Sequence, residues 1–80
     1  MAKTWTYKYG GNTIEVKNSV FSGEELRVNG RLQNKQVNLL SAQLTGKLDS
    51  GEEIKANIGG TWTIKCRLFI DHVLQEPLPK

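Results

Sequence analysis

The sequence predicts an all-β domain, an antiparallel β-sandwich or flattened barrel of about seven to eight short strands in a meander. Two observations carry this prediction. Apolar and polar residues alternate with a period of two through most of the chain, which is the side-chain period of a strand and not of a helix. Turn-forming residues, among them Gly10-Gly11, Asn29-Gly30 and Gly59-Gly60, interrupt the alternation at spacings of roughly 8–12 residues.

The alternation is clearest from Thr61 to Asp71, which we predict to be one long, half-buried strand. Its inward face would carry every second residue of the segment: Trp62, Ile64, Cys66, Leu68 and Ile70. Its outward face would carry Lys65 and Arg67, with Phe69 as the exception, an aromatic residue on the polar side. No helix brings residues at these spacings to one side, so the strand assignment follows from geometry.

The other strands follow from the same period. They are centred on Trp5–Tyr9, Ile14–Val16, Leu26–Val28, Leu44–Leu48 and Ile54–Ile58, with Val73–Gln75 as an eighth if it pairs back after Asp71-His72. Asn29-Gly30 favours the type I′ turn of a β-hairpin, which needs positive φ at both positions. Gly46 lies within a strand, where glycine indicates a bulge or a close backbone approach.

Three segments do not alternate. In the loop from Asn18 to Glu24, Val20-Phe21 would cover one end of the core. The segment from Gln33 to Ala42 fits either a strand with a bulge or one helical turn. The last residues, 76–80, contain two prolines, and we expect a tail that is extended and partly disordered. We expect residues 1–80 to form a single domain, because 80 residues are enough for one domain and no linker divides them.

From the composition we expect this domain to be cytoplasmic. Cys66 is the single cysteine, so the chain has no intramolecular disulfide of the kind that small secreted domains use. The first residues lack the apolar stretch of a signal peptide, and no apolar run approaches the roughly 20 residues of a membrane span. The net charge of +3, from 11 basic and 8 acidic residues, needs no ligand to explain it.

The order of these motifs resembles a known family. It runs Trp5-x-Tyr7, Ile14-x-Val16, Ser22-Gly23-Glu24, Leu26-x-Val28-Asn29-Gly30, Leu44-Thr45-Gly46 and Leu68-Phe69-Ile70-Asp71. This order resembles the β-sandwich domain of the Fas apoptosis inhibitory molecule family over most of the chain. The resemblance implies a compact antiparallel sandwich and a non-enzymatic role in protein interaction, and it assigns no site residue. The chain also resembles small bacterial β-domains with no assigned activity.

No enzyme or metal signature is present, so we expect neither catalysis nor a cofactor. The single histidine, His72, lies in a turn, which offers no positioned partner for a general base. Glu24-Glu25 and Glu52-Glu53 are sequence neighbours, so the members of each pair point to opposite faces of a strand. Cys66 is on the inward face, where burial disfavours the thiolate. One cysteine and one histidine do not make a zinc site.

Binding is therefore the predicted activity, through a surface formed by Lys65, Arg67 and Phe69 that contacts an unidentified partner protein. Three explanations of Phe69 stay open: a bulge turns it inward, Val20-Phe21 covers it, or it is an exposed aromatic residue of an interaction surface.

The alternative is single-stranded nucleic acid bound on a basic β-face, where aromatic rings stack on bases among cations. Trp5, Tyr7 and Tyr9 alternate with Lys8 and follow Lys3, so they are candidates for such a platform if they point outward. If they point inward, the platform is lost from this strand.

Overall fold

The structure, a computed structural model, describes residues 2–19, 22–37, 41–60 and 62–79. These residues form eight β-strands and no helix, arranged in two four-stranded antiparallel sheets. The predicted all-β class is confirmed, and Val73–Gln75 does pair back as the eighth strand. Within the described ranges there is no helix that is long and apolar enough to cross a membrane.

Each sheet is a meander in which consecutive strands are hydrogen-bonded neighbours. Sheet I contains β1 (Ala2–Tyr9), β2 (Asn12–Ser19), β3 (Gly23–Val28) and β4 (Arg31–Gln36). Sheet II contains β5 (Ser41–Lys47), β6 (Glu53–Gly59), β7 (Lys65–Ile70) and β8 (Val73–Gln75). Because every link within a sheet is short, the chain crosses between the sheets only once, from β4 to β5.

The turns follow the predicted chemistry. Asn29 and Gly30 have φ values of 52° and 83°, as a type I′ hairpin requires. The Asn29 side chain also accepts a hydrogen bond from Thr13 N at 2.9 Å, which ties this hairpin to β2. Asp71 and His72 likewise have positive φ values, 47° and 67°, so β7 turns directly into β8.

One apolar core lies between the inward faces of the two sheets. Its buried side chains come from alternate positions of the strands and include Tyr7, Ile14, Val16, Leu26, Val28, Leu44, Ile54, Ala56, Ile58, Leu68 and Ile70. Trp5, Tyr9, Ile64 and Cys66 are partly buried and pack against this cluster. The period-two pattern therefore predicted the core residues of both sheets, with one exception.

Trp62 is that exception, because its side chain is 98% exposed and does not face inward. The predicted strand from Thr61 begins only at Lys65, where β7 starts to pair with Gly59 of β6. Before that point the chain bends back on itself. A Cβ at Gly60, whose φ is 154°, would collide with the backbone of Thr63. The apolar alternation thus extends further along the sequence than the hydrogen-bonded strand does.

The irregular segments are resolved in part. The segment from Gln33 is strand with an irregularity, since the register of β3 against β4 shifts between Leu26 and Arg27. Residues 38–40 lie outside the described residues, as do Val20 and Phe21, so the predicted cover over the core end is not described. β2 continues to Ser19 and β3 begins at Gly23, which makes their connection shorter than predicted.

Side-chain amides of β4 take the place of a neighbouring strand along the free edge of β5. Gln33 Nε2 donates to Lys47 O at 2.7 Å, and Lys47 N donates to Gln33 Oε1 at 2.8 Å. Asn34 Nδ2 donates to Thr45 O at 3.2 Å, and Gln36 Nε2 donates to Gln43 O at 2.8 Å. These bonds satisfy edge groups that would otherwise be open to pairing with another chain. We call this contact the amide seam.

Gly46 lies on β5 between two residues of the amide seam, and the seam explains why this position is glycine. A Cβ at this position would collide with the Gln33 side-chain oxygen and press on Leu26 Cδ2. The register of β5 against β6 is continuous through Gly46, so there is no bulge. Of the two explanations for a mid-strand glycine, close approach is the right one.

Residues 76–79 have no regular secondary structure and run beside β1. Leu78 N donates to Thr6 O at 2.7 Å. The expected partial disorder of residues 76–80 stays a prediction.

We predict that Gln33→Ala lowers the free energy of unfolding by about 1–3 kcal/mol, because it removes both bonds to Lys47 and leaves that edge without a partner. Urea denaturation measures the change. Gln43→Ala is the matched control, since Gln43 is exposed on β5 and only its backbone oxygen takes part in the seam. The control should change stability by less than about 0.5 kcal/mol. Equal effects of the two substitutions would contradict a structural role for the seam.

Candidate interaction surface

The side chains of sheet II that point away from the core form its outer face. Cross-strand pairing arranges them in rows: Ser41–Gly59–Lys65, Gln43–Asn57–Arg67, Thr45–Lys55–Phe69–Leu74 and Lys47–Glu53. Their inward neighbours, such as Ala56 and Leu68, are buried. Lys65, Arg67 and Phe69 therefore share one face, at alternate positions of β7.

Phe69 lies in the middle of the outer face. It is opposite Lys55 on one side and Leu74 on the other, and its side chain is half-buried. The register of β6 against β7 is continuous from Ile54–Ile70 to Gly59–Lys65, so no bulge turns Phe69 inward. Phe21, the second explanation, is outside the described residues. The ring is thus partly accessible among charged neighbours.

A groove of about 630 Å³ runs across this face at the end nearest the β7–β8 turn. The outward side chains that line it are Thr45, Lys47, Glu53, Lys55, Phe69 and His72. The groove has an aromatic wall from Phe69 on β7, charged groups on β5 and β6, and a histidine from the β7–β8 turn. Its dimensions suit an extended segment or a few side chains of a partner.

The cations of the outer face lack acidic partners. Lys47, Lys55, Lys65 and Arg67 form no ion pair within the described part of the chain. The acids beside them are Glu53, opposite Lys47, and Asp71, whose Oδ1 accepts a hydrogen bond from Glu53 N at 2.9 Å.

The outward side of sheet I differs. There Arg27 Nε lies 3.0 Å and Lys35 Nζ 3.8 Å from the two Glu25 oxygens. Glu25 thus offsets part of the positive charge on sheet I, where Lys8 and Lys17 form no ion pair within the described ranges, whereas no ion pair offsets the positive charge of sheet II.

Lys47 and Lys55 belong to this surface although sequence reasoning did not single them out. Alternation alone places both on the polar side of their strands. Their proximity to Phe69 comes from the pairing register, since Lys55 is directly opposite Phe69 and Lys47 is opposite Glu53. The hydrophobic pattern of a single strand predicts which face of the sheet each side chain is on, but not which residues of the neighbouring strands lie beside it.

Trp62 is an exposed aromatic residue in the connection between β6 and β7, three positions before Lys65. By contrast, the aromatic residues of β1 face the core. Tyr7 is 1% exposed, and Trp5 and Tyr9 are partly buried against the cluster. The condition for a stacking platform on β1 is therefore not met, because the rings point to the opposite side of the strand from Lys8.

The groups considered for catalysis lie apart. Glu24 is 2% exposed and its Oε2 has no hydrogen-bond partner, whereas Glu25 points outward to Arg27 and Lys35. This confirms that the two carboxylates are on opposite faces. His72 lies at the exposed β7–β8 turn. No group of three or more His, Cys, Asp or Glu residues that could hold a metal ion is found in the described ranges.

Tyr7 and Cys66 form one hydrogen bond across the core, in which Tyr7 OH donates to Cys66 Sγ at 3.5 Å. Burial raises the pKa of Tyr7 well above its usual value, and the bond to Cys66 raises it further. Burial also raises the pKa of the Cys66 thiol, an effect that the bond from Tyr7 opposes in part. Cys66 is thus held as a thiol, as the sequence predicted.

No protein-family description, curated protein or solved structure matches this chain. The resemblance to the Fas apoptosis inhibitory molecule family therefore stays a prediction.

We predict that the chain loses stability in alkali in two stages. Both groups have a higher pKa in the folded chain than in the unfolded chain, so their contributions are complete below the unfolded pKa values, about 8.5 for Cys and about 10 for Tyr. The free energy of unfolding should fall above about pH 8.5 and more steeply above about pH 10.

Urea denaturation between pH 7 and 11 measures this, with Tyr7→Phe as the reference. The stability difference between the unmodified chain and this variant should shrink as the pH passes about 10, because only the unmodified chain must keep a buried phenol protonated. A difference that stays constant to pH 11 would show that Tyr7 ionises as readily folded as unfolded.

Proposed function

We propose that the chain is a non-catalytic binding module that contacts an acidic partner protein through the outer face of sheet II. The observation that carries the proposal is the set of four cations without ion pairs around a half-buried Phe69. Positive charge on such a face attracts an acidic surface and speeds encounter, while an aromatic ring in a groove supplies the desolvated centre of an interface.

The strands that carry the surface support this proposal. Lys55 and Phe69 lie on β6 and β7, the two central strands of sheet II, so the sheet holds them in fixed positions. A partner that binds there needs no ordering of the backbone beneath it, which lowers the entropic cost of association. The resemblance to the Fas apoptosis inhibitory molecule family implies the same kind of role.

An enzymatic role is not part of the proposal. A general base needs a partner and a pocket, and His72, the one histidine, lies at an exposed turn. Cys66 is half-buried with a raised pKa, which is unsuited to a nucleophile. We place this activity in the cytoplasm, where a single unpaired cysteine is ordinary.

We predict that the double charge reversal Lys65→Glu/Arg67→Glu abolishes partner capture. The tagged chain would be incubated with nuclease-treated lysate in about 0.1 M salt, where surface charges still act over about 10 Å. The matched control is Lys8→Glu/Lys17→Glu, which makes the same charge change on the outward side of sheet I. Retained proteins should be lost with the first variant and kept with the second. Equal loss would indicate dependence on net charge alone, and no loss would remove the surface assignment.

A second candidate function is the binding of single-stranded nucleic acid, and the exposure of Trp62 favours it. A 98% exposed indole beside a strand with Lys65 and Arg67 provides a ring on which a base can stack next to cations that pair with phosphates. This site differs from the one expected on β1, because its aromatic residues are Trp62 and Phe69.

We predict for this candidate that a labelled oligo-dT strand binds with an affinity that falls by about 0.7 log units per log unit of salt for each phosphate contacted. Trp62→Ala should weaken binding about fivefold or more, since stacking of one base is worth about 1–3 kcal/mol. Fluorescence anisotropy measures both. Trp62→Phe, which keeps a ring, is the control and should retain most of the affinity. A flat salt response, or equal binding by both variants, would exclude the candidate.

A further inference from the structure

β1 is the longest edge strand of the fold, and one of its sides is not paired with another strand. β1 and β8 are the outermost strands at one end of each sheet, and they contain eight and three residues. On β1 the backbone N–H and C=O groups that point away from β2 belong to Thr4, Thr6 and Lys8. Thr6 O shows this, since it accepts the bond from Leu78, and the direction of the backbone groups alternates from one residue to the next along a strand. Thr13, opposite Lys8, bonds on its other side to Asn29, which agrees with this alternation.

Residues 76–79 cover this edge with a single backbone hydrogen bond. Leu78 N donates to Thr6 O at 2.7 Å, and no other backbone bond to this edge is found in the described ranges. Pro77 and Pro79 flank the donor and line a groove with Thr4, Trp5 and Thr6.

Pro77 and Pro79 are at the positions of this segment where an N–H group would point away from β1. In an extended segment, successive N–H groups point to opposite sides, so residues 77 and 79 are those whose N–H would face away from β1. Proline has no N–H, and it is a residue that blocks further pairing at an edge. The segment therefore covers β1 without offering these two donors to another strand.

We propose that residues 76–79 are a displaceable strap over the edge of β1, and that this edge pairs with β1 of a second copy when the strap is released. This surface is separate from the outer face of sheet II. The occupant is a second copy because β1 is complementary to itself in one antiparallel register.

That register has a two-fold axis at Thr6. Thr6 then faces Thr6 of the second copy, Thr4 faces Lys8, and Lys3 faces Tyr9, so seven residues of each strand pair and no lysine faces a lysine. A register centred on Lys8 would place like charges opposite each other, which is destabilising. Outward groups of Thr4, Thr6 and Lys8 can exchange six hydrogen bonds in this arrangement, against the one that Leu78 makes.

The test is the oligomeric state of the 80-residue chain and its Leu78→Pro variant, measured by sedimentation equilibrium. Proline at 78 removes the one N–H that holds the strap within the described residues. We expect the variant to dimerise with a dissociation constant at least tenfold lower than that of the unmodified chain. Circular dichroism checks that it stays folded, which its position predicts, since Leu78 is 46% exposed. If Leu78→Pro does not fold, the replacement is Leu78→Asp, which puts a charge where the apolar side chain lines the groove on β1.

The double variant Thr6→Pro/Leu78→Pro is the matched control. Thr6 N points to the edge and not to β2, so proline there removes a donor for the second copy and spares the β1–β2 pairing. This variant should be monomeric. Three results would overturn the proposal: a folded Leu78 variant that stays as monomeric as the unmodified chain, an unmodified chain that dimerises equally well, or a double variant that dimerises as strongly as Leu78→Pro.

Discussion

Two four-stranded meanders make a stable fold only if the edges of their sheets are satisfied, and here the amide seam does this for β5. Gln33, Asn34 and Gln36 project from β4 and bond to the backbone of β5. The seam joins the two sheets at the one crossing between them. Because its acceptors are backbone groups at alternate positions of β5, the seam also fixes the position of β5 along β4. The inward side chains of both sheets then meet in one core.

The outer faces can differ because the core is built from the inner faces alone. On sheet I, Glu25 forms ion pairs with both Arg27 and Lys35. On sheet II, the polar rows place four cations near Phe69 with one carboxylate among them. Neither face contributes much to folding, since exposed ion pairs are worth little. Under the proposed function, the cations of sheet II serve to attract a partner rather than to stabilise the fold.

Much of the fold followed from local pattern. Alternation predicted the strands and nearly all core residues, and Asn29-Gly30 predicted its own hairpin, because both depend on neighbours within a few positions. Trp62 was placed wrongly for the same reason. The alternation extends back to Trp62, but β7 begins only at Lys65, because the chain bends at residues 62 and 63 and the pairing with β6 ends at Gly59. The spacing of Trp62 in the sequence does not show where the hydrogen-bonded pairing between β6 and β7 ends.

Alternation of residue types was sufficient to determine the all-β class, the inward face of each strand and the position of Phe69 among polar residues. Tertiary structure alone decided which polar residues share a surface with Phe69, that Gln33 and its neighbours bond to β5, and that Leu78 reaches Thr6. Each of these depends on register or on contacts between segments distant in sequence. A period of two gives the face to which a side chain points, but it contains no information on which strand lies beside it.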